Sequence, residues 1–149
     1  MPDGEGLGVA CCFGQQRDMA TWIAAVAHVA VDPETNKVNV RKIWQTIDCG
    51  TVVSPDGAMA QAEGATLWGV SLAVHEGATF ENGQVAQRNF DTYTPLRMAD
   101  VPELDIEFVA STEFPTGLGE PPVIAVQPAI GNAVFAASGV RARDLPIRL

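Results

Sequence analysis

The stretch Gly117-Leu118-Gly119-Glu120-Pro121-Pro122 sets one carboxylate between two glycines and two prolines, just before a helical run from Val123 to Ser138. Glycines let a large ligand approach the main chain closely. Pro121 biases the residue before it away from helical angles, so Glu120 is expected to be held extended. Pro122 suits the first turn of the helix that follows, and the helix dipole favours an ionised carboxylate at that end. A positioned, ionised carboxylate is what a general base requires. The plainer reading is an acidic residue in a helix-leading turn, and the hexapeptide alone leaves both open. Elsewhere chemistry is thin. Cys11, Cys12 and Cys49 form neither a disulfide framework nor a CxxC spacing, and His28 and His75 stand apart without evident partners. Cys49 reads as a small buried residue, and no side-chain metal site is expected.

The elements that must position Glu120 follow from pattern. Residues 1–20 are glycine-rich, weakly patterned, and read as a lead-in to a domain over 21–149. Trp22–Val31 is uncharged at alternating positions, as in a strand covered on both faces. Asp32–Asn36 is a turn, and Val38, Val40 and Ile43 begin a second strand of the same hairpin. Ser54-Pro55-Asp56 starts a helix running to about Glu76, with Met59, Glu63, Thr66, Leu67, Val70 and Val74 on one face. Gly57, Gly64 and Gly69 within it imply that something packs closely there.

Asn82-Gly83 marks a second hairpin between residues 78–81 and 84–87. Residues 88–103 lack a period, and Tyr93, Arg97 and Met98 there either line an entrance or serve local packing. Leu104–Ala110 alternates as a half-buried strand, and Gly139 closes the last helix, whose inner face is Val126, Ile130, Ala133, Val134 and Ala137. The expected fold class is α+β: an antiparallel sheet of two hairpins plus one strand, with two helices packed on one face.

Bulk properties exclude some functions. A net charge of −9, without a basic cluster, argues against nucleic acid as a partner. No apolar run is long enough for a membrane span, and the first twenty residues show no basic-then-apolar leader, so a cytoplasmic location is the expectation.

Three segments, in order, resemble one family. They are Ile47-Asp48-Cys49-Gly50-Thr51-Val52-Val53-Ser54-Pro55-Asp56 leading into Gln61-Ala62-Glu63-Gly64; Asn89-Phe90-Asp91-Thr92-Tyr93 with Pro95-Leu96-Arg97-Met98; and Gly119-Glu120-Pro121-Pro122 with Ala133–Gly139. Together they resemble the C-terminal portion of the molybdenum-binding subunit of the xanthine dehydrogenase/aldehyde oxidase family, with the isoquinoline 1-oxidoreductase beta subunit the nearest branch. The resemblance implies a molybdenum hydroxylase that oxidises an N-heterocycle or aldehyde carbon with oxygen from water. It implies Glu120 as the base, and Gln61, with Gly64 and Gly119, at a molybdopterin cofactor in its cytosine dinucleotide form. Iron–sulfur clusters on a partner subunit would carry electrons away.

The family's subunits are several times longer, and their glycine-rich cofactor loops have no counterpart here. The expected partners are therefore the remainder of the molybdenum subunit and the iron–sulfur subunit. Isolated, the chain is expected to be incomplete and inactive, and to associate with itself through the apolar surface a missing neighbour would cover. The competing hypothesis is a non-catalytic, independently folded module that only associates with partners or with itself.

Overall fold

The computed structural model describes residues 1–16 and 19–149. Three strands, β1 (Glu5–Gln16), β2 (Met19–Val31) and β3 (Val38–Asp48), run antiparallel in chain order. Helix α1 (Pro55–Val74) follows, then the short pair β4 (Phe80–Glu81) and β5 (Gln84–Val85). Strand β6 (Glu103–Phe108) joins the free side of β3, and helix α2 (Val126–Ser138) completes the fold.

The class is α+β, but the sheet differs from expectation in two respects. Strand β6 lies parallel to β3, so the sheet is mixed, and β4–β5 forms its own two-stranded sheet. The long excursion through α1 lets the chain return to the same end of β3, which a hairpin connection cannot do. Asn82 and Gly83 have φ of 50° and 77°, the left-handed pair a two-residue hairpin needs, so the local turn forms as expected. Its strands are exposed throughout and pair only with each other among the described residues.

The glycine-rich beginning also differs from expectation. Of the stretch 1–20, residues 17 and 18 lie outside the described residues, yet Glu5–Gln16 is a full edge strand. A Cβ at Gly8 would stand 2.1 Å from Ala133 N, and one at Gly6 would stand 2.2 Å from Ala133 O. The glycines thus let the backbone of α2 rest directly on β1. Ala10 and Cys12 complete that inner face against the core, and on the other face Leu7, Val9 and Phe13 are exposed.

The core lies between the sheet and both helices. Ile23, Ala25, Ala27 and Val29 of β2 and Ile43 and Ile47 of β3 face Val70, Ala73, Val126, Ile130 and Val134 of the helices. The opposite sheet face is open, contrary to the expectation of cover on both sides. Trp22 is 57% exposed and packs against Phe13 at 5.0 Å between ring centroids. The lack of formal charge along β2 therefore does not report burial, and the same open face carries the Glu5–His28 and Lys42–Glu103 pairs.

Helix α1 ends at Val74, and its buried residues are Ala62, Ala65, Thr66, Gly69, Val70, Ser71, Ala73 and Val74. Thr66, Val70 and Val74 are buried as expected, but Glu63 is exposed and small residues replace the larger ones. The apolar periodicity was ambiguous because alanine and glycine fill most of the helix. Of its glycines, Gly69 meets another element closely, its Cβ coming 2.8 Å from Val126 Cβ, while Gly57 meets Oγ of the N-cap residue Ser54 at 3.1 Å. Helix α2 buries Val126, Ile130, Ala133 and Val134 as its spacing indicates, and Gly139 caps it at φ 74°. No helix among the described residues is long and apolar enough to cross a membrane.

Candidate active site

Glu120 stands at the head of a 3-10 turn, Pro121–Val123, and α2 begins three residues later. Its backbone is helical (φ −96°, ψ −36°), not extended as its proline neighbour suggested. The bias before proline is a preference, and here the turn overrides it. Val123 N donates to Glu120 O at 3.0 Å, which requires the carbonyl to point along the turn. A three-residue turn also has no long helix dipole behind it, so that part of the expectation falls away.

The residues that follow Glu120 are anchored. Pro121, Pro122 and Val123 are buried. Pro121 rests on Gly14 of β1, where an added Cβ would meet its ring at 2.8 Å. Val123 O lies 3.1 Å from where a Cβ of Gly69 would stand. Buried Gln45 of β3 donates from Nε2 to Pro122 O at 2.7 Å. The approach to the turn is held as well. Thr116 N donates to Cys49 O at 2.9 Å, and Thr21 Oγ1 bonds Gly117 O. Gly50 has φ 71°, and its Cβ would fall 2.2 Å from Phe114 O, so only glycine lets this loop cross there.

Glu120 itself is exposed, as is Gly119. Beside them lies Gln61 of α1: a Cβ added to Gly119 would stand 3.5 Å from Gln61 Nε2. The fold therefore brings together the turn carrying Glu120 and the helix carrying Gln61. Gly64, three residues beyond Gln61 on the helix surface, is exposed with open space above it. Gln61 carries two N–H donors and one acceptor, Glu120 a carboxylate, and the flanking glycines add no bulk. A polar surface without side-chain height fits the edge of a flat heterocycle rich in nitrogen and oxygen. Among the described residues no three His, Cys, Asp or Glu side chains converge as a metal site.

The other reactive side chains lie apart from this corner or have other work. Burial, aided by Asp48, pushes the Cys49 thiol up, which suits a packed residue rather than a nucleophile. Burial and neighbouring Cys11 do the same for Cys12. His28 does have a partner, Glu5 Oε2 at 2.8 Å on the open sheet face. Tyr93 bonds Glu76, and Arg97 reaches Phe90 O, so these two make local contacts while Met98 is exposed. Sequence reasoning missed Gln45, and it placed Thr66 on the inner helix face without its bond to Gln45. The available signal was a carboxamide between Ile43 and Ile47, on the inward register of a strand.

Residues 9–102 match the molybdopterin cofactor-binding domain family. The chain belongs to this family. It is 53% identical over 148 residues to the membrane-bound aldehyde dehydrogenase [pyrroloquinoline-quinone] of Gluconacetobacter polyoxogenes, covering 99% of this chain and 19% of that protein. It is 32% identical to the isoquinoline 1-oxidoreductase subunit beta of Brevundimonas diminuta, covering 85% of this chain and 16% of that one. The crystal structure of the aldehyde oxidoreductase from Desulfovibrio desulfuricans superimposes with a TM-score of 0.75 at 26% identity, over 85% of this chain and 14% of that chain. The resemblance drawn from the three sequence segments is thereby met, isoquinoline 1-oxidoreductase included. The chain spans about a fifth or less of the length of these relatives.

Proposed function

We propose that this chain forms one wall of a molybdenum hydroxylase site and contributes its general base, Glu120. The observation that carries the reading is the meeting of Gly119-Glu120 with Gln61, two segments remote in sequence. Molybdopterin with molybdenum, in its cytosine dinucleotide form, would supply the two-electron redox chemistry when bound. Gln61 would hydrogen-bond its edge, and Gly64 and Gly119 would leave room for it. Glu120 Oε would take a proton from the water-derived oxygen that adds to an N-heterocycle or aldehyde carbon. Per turnover one water oxygen enters the product, and two electrons and two protons leave. The electrons would pass to iron–sulfur clusters on a partner subunit.

The remaining wall would come from the rest of a molybdenum subunit. The isolated chain would lack turnover and would self-associate through its open apolar face, which light scattering would detect. The pyrroloquinoline quinone in one relative's name offers a second flat, oxygen-rich group for the same corner. The family match over residues 9–102 favours molybdopterin.

The deciding experiment measures molybdenum and pterin in the chain purified from a host that makes the cofactor, alone and with its completing polypeptide. Glu120→Gln in the complete assembly should lower turnover by about 10²–10⁴-fold, the range of a general base, with molybdenum content unchanged. Retained turnover would overturn the assignment. A non-catalytic module is the alternative reading, favoured by the open sheet face with exposed Phe13 and Trp22. It predicts a folded chain without metal or turnover in every combination.

A further inference from the structure

Gln45 is 2% exposed and stands on the inner face of β3 between Ile43 and Ile47, both fully buried. A carboxamide among aliphatic side chains is costly to bury unless its donor and acceptor are both used. Both are used, and by different elements. Nε2 donates to Pro122 O at 2.7 Å, two residues after Glu120. Oε1 lies 2.9 Å from Thr66 Oγ1 in α1, within the same helix as Gln61. That hydroxyl is also 2.7 Å from Ala62 O, so its single proton is available to either acceptor.

The other anchors of the turn differ in kind. Gly14 and Gly69 admit Pro121 and Val123 by steric fit, which excludes positions without selecting an orientation. Cys12 Sγ reaches Ile124 O at 3.6 Å, a weak thiol contact. The carboxamide is a directional link between turn and helix. We propose that Gln45 is a positioning residue. Through Pro122 O on one side and Thr66 on the other, it sets the Glu120 turn against α1 so that Glu120 and Gln61 face the same space. This deepens the reading of Glu120 as a base and rests on it for its catalytic meaning.

The test compares Gln45→Met, which keeps length and removes both bonds, with Ile43→Val, which loosens the same core without touching the link. Thr66→Val provides a milder break at the other end. Native-state hydrogen exchange on the full chain reads the result without any cofactor. Exchange at Val123 and Ile124 N–H should rise about tenfold in Gln45→Met, the worth of one hydrogen bond, while Ala27 and Val29 change little. Ile43→Val should affect all four sites alike. Equal rises everywhere in Gln45→Met, or none at the turn, would overturn the proposal.

Gln45→Glu supplies a rescue. Protonated, its acid can donate to Pro122 O; ionised, it faces that oxygen with a carboxylate. Turn protection should then be near normal at low pH and fall as pH rises. Protection independent of pH would count against a directional link. In the complete assembly, Gln45→Met should lower kcat and leave KM near its starting value. If Glu120→Gln keeps turnover while Gln45→Met still loosens the turn, the base assignment fails and the positioning of the turn stands.

Discussion

Pro121, Pro122 and Val123 are buried against β1, β3 and α1, whereas Gln61 and Gly64, just across on α1, stand open to solvent. On the turn, Pro121 meets a glycine, Pro122 O receives a buried amide, and Val123 N closes on Glu120 O. On the helix surface, Gly64 has nothing within 4 Å. One region is positioned by the fold; the other is kept clear by it. A site that must aim a proton acceptor at a bulky ligand needs both. Small residues serve opposite ends in the two places: Gly14 and Gly69 admit protein, and Gly64 leaves room above the helix.

The contrast can be broken most severely at Gly69. Gly69→Ala would push a methyl to 2.8 Å from Val126 Cβ of α2 and 3.1 Å from Val123 O of the turn. Overpacking of this kind costs about 1–3 kcal/mol, and improved helix propensity offsets only part of it. Denaturant unfolding should show net destabilisation, and an unchanged midpoint would mean the contact yields freely. Gln61→Ala acts on the other side. It should leave stability nearly unchanged and weaken molybdenum retention in the complete assembly by about tenfold, the worth of one hydrogen bond. Full retention would remove Gln61 from the cofactor surface.

Gly64→Ala sharpens the same comparison, because an exposed helical glycine costs about 1 kcal/mol against alanine. Unfolding should show stabilisation of that order in the isolated chain, opposite in sign to Gly69→Ala. Destabilisation would show that the space above Gly64 is not free. The smallest effect lies at the far end of α1. Burial lowers the pKa of His75, with Lys37 and Arg148 adding to it and Asp100 opposing. The unfolded chain therefore binds the proton more readily below about pH 6.5. His75 contributes stability above that pH, and the contribution is lost as pH falls through its lowered folded value. His75→Asn should flatten the acid side of the stability profile, and an unchanged slope would refute the link.

Much of this could be read from local chemistry. Asn82-Gly83 demanded a left-handed turn, Gly139 a helix cap, and Ser54-Pro55 a helix start; each involves a few neighbouring residues whose angles follow from their own covalent structure. Gly6 and Gly8 were harder. They alternate with Leu7 and Val9, a strand period with glycine on the inward side, and an absent side chain leaves no hydrophobic signal. Their meaning is supplied by α2, more than a hundred residues away.

By itself the sequence determined the α+β class, the helix and turn boundaries to within a few residues, and the family, because its motifs are contiguous. Tertiary structure alone decided that β6 runs parallel to β3, that Glu120 sits on a short helical turn, and that Gln61 lies beside Gly119. It also decided that Gln45 links the turn to α1. The reason is common to all four. Strand direction, the orientation of a turn and the partner of a buried amide depend on groups that meet only after distant segments pack, and no local preference encodes that meeting.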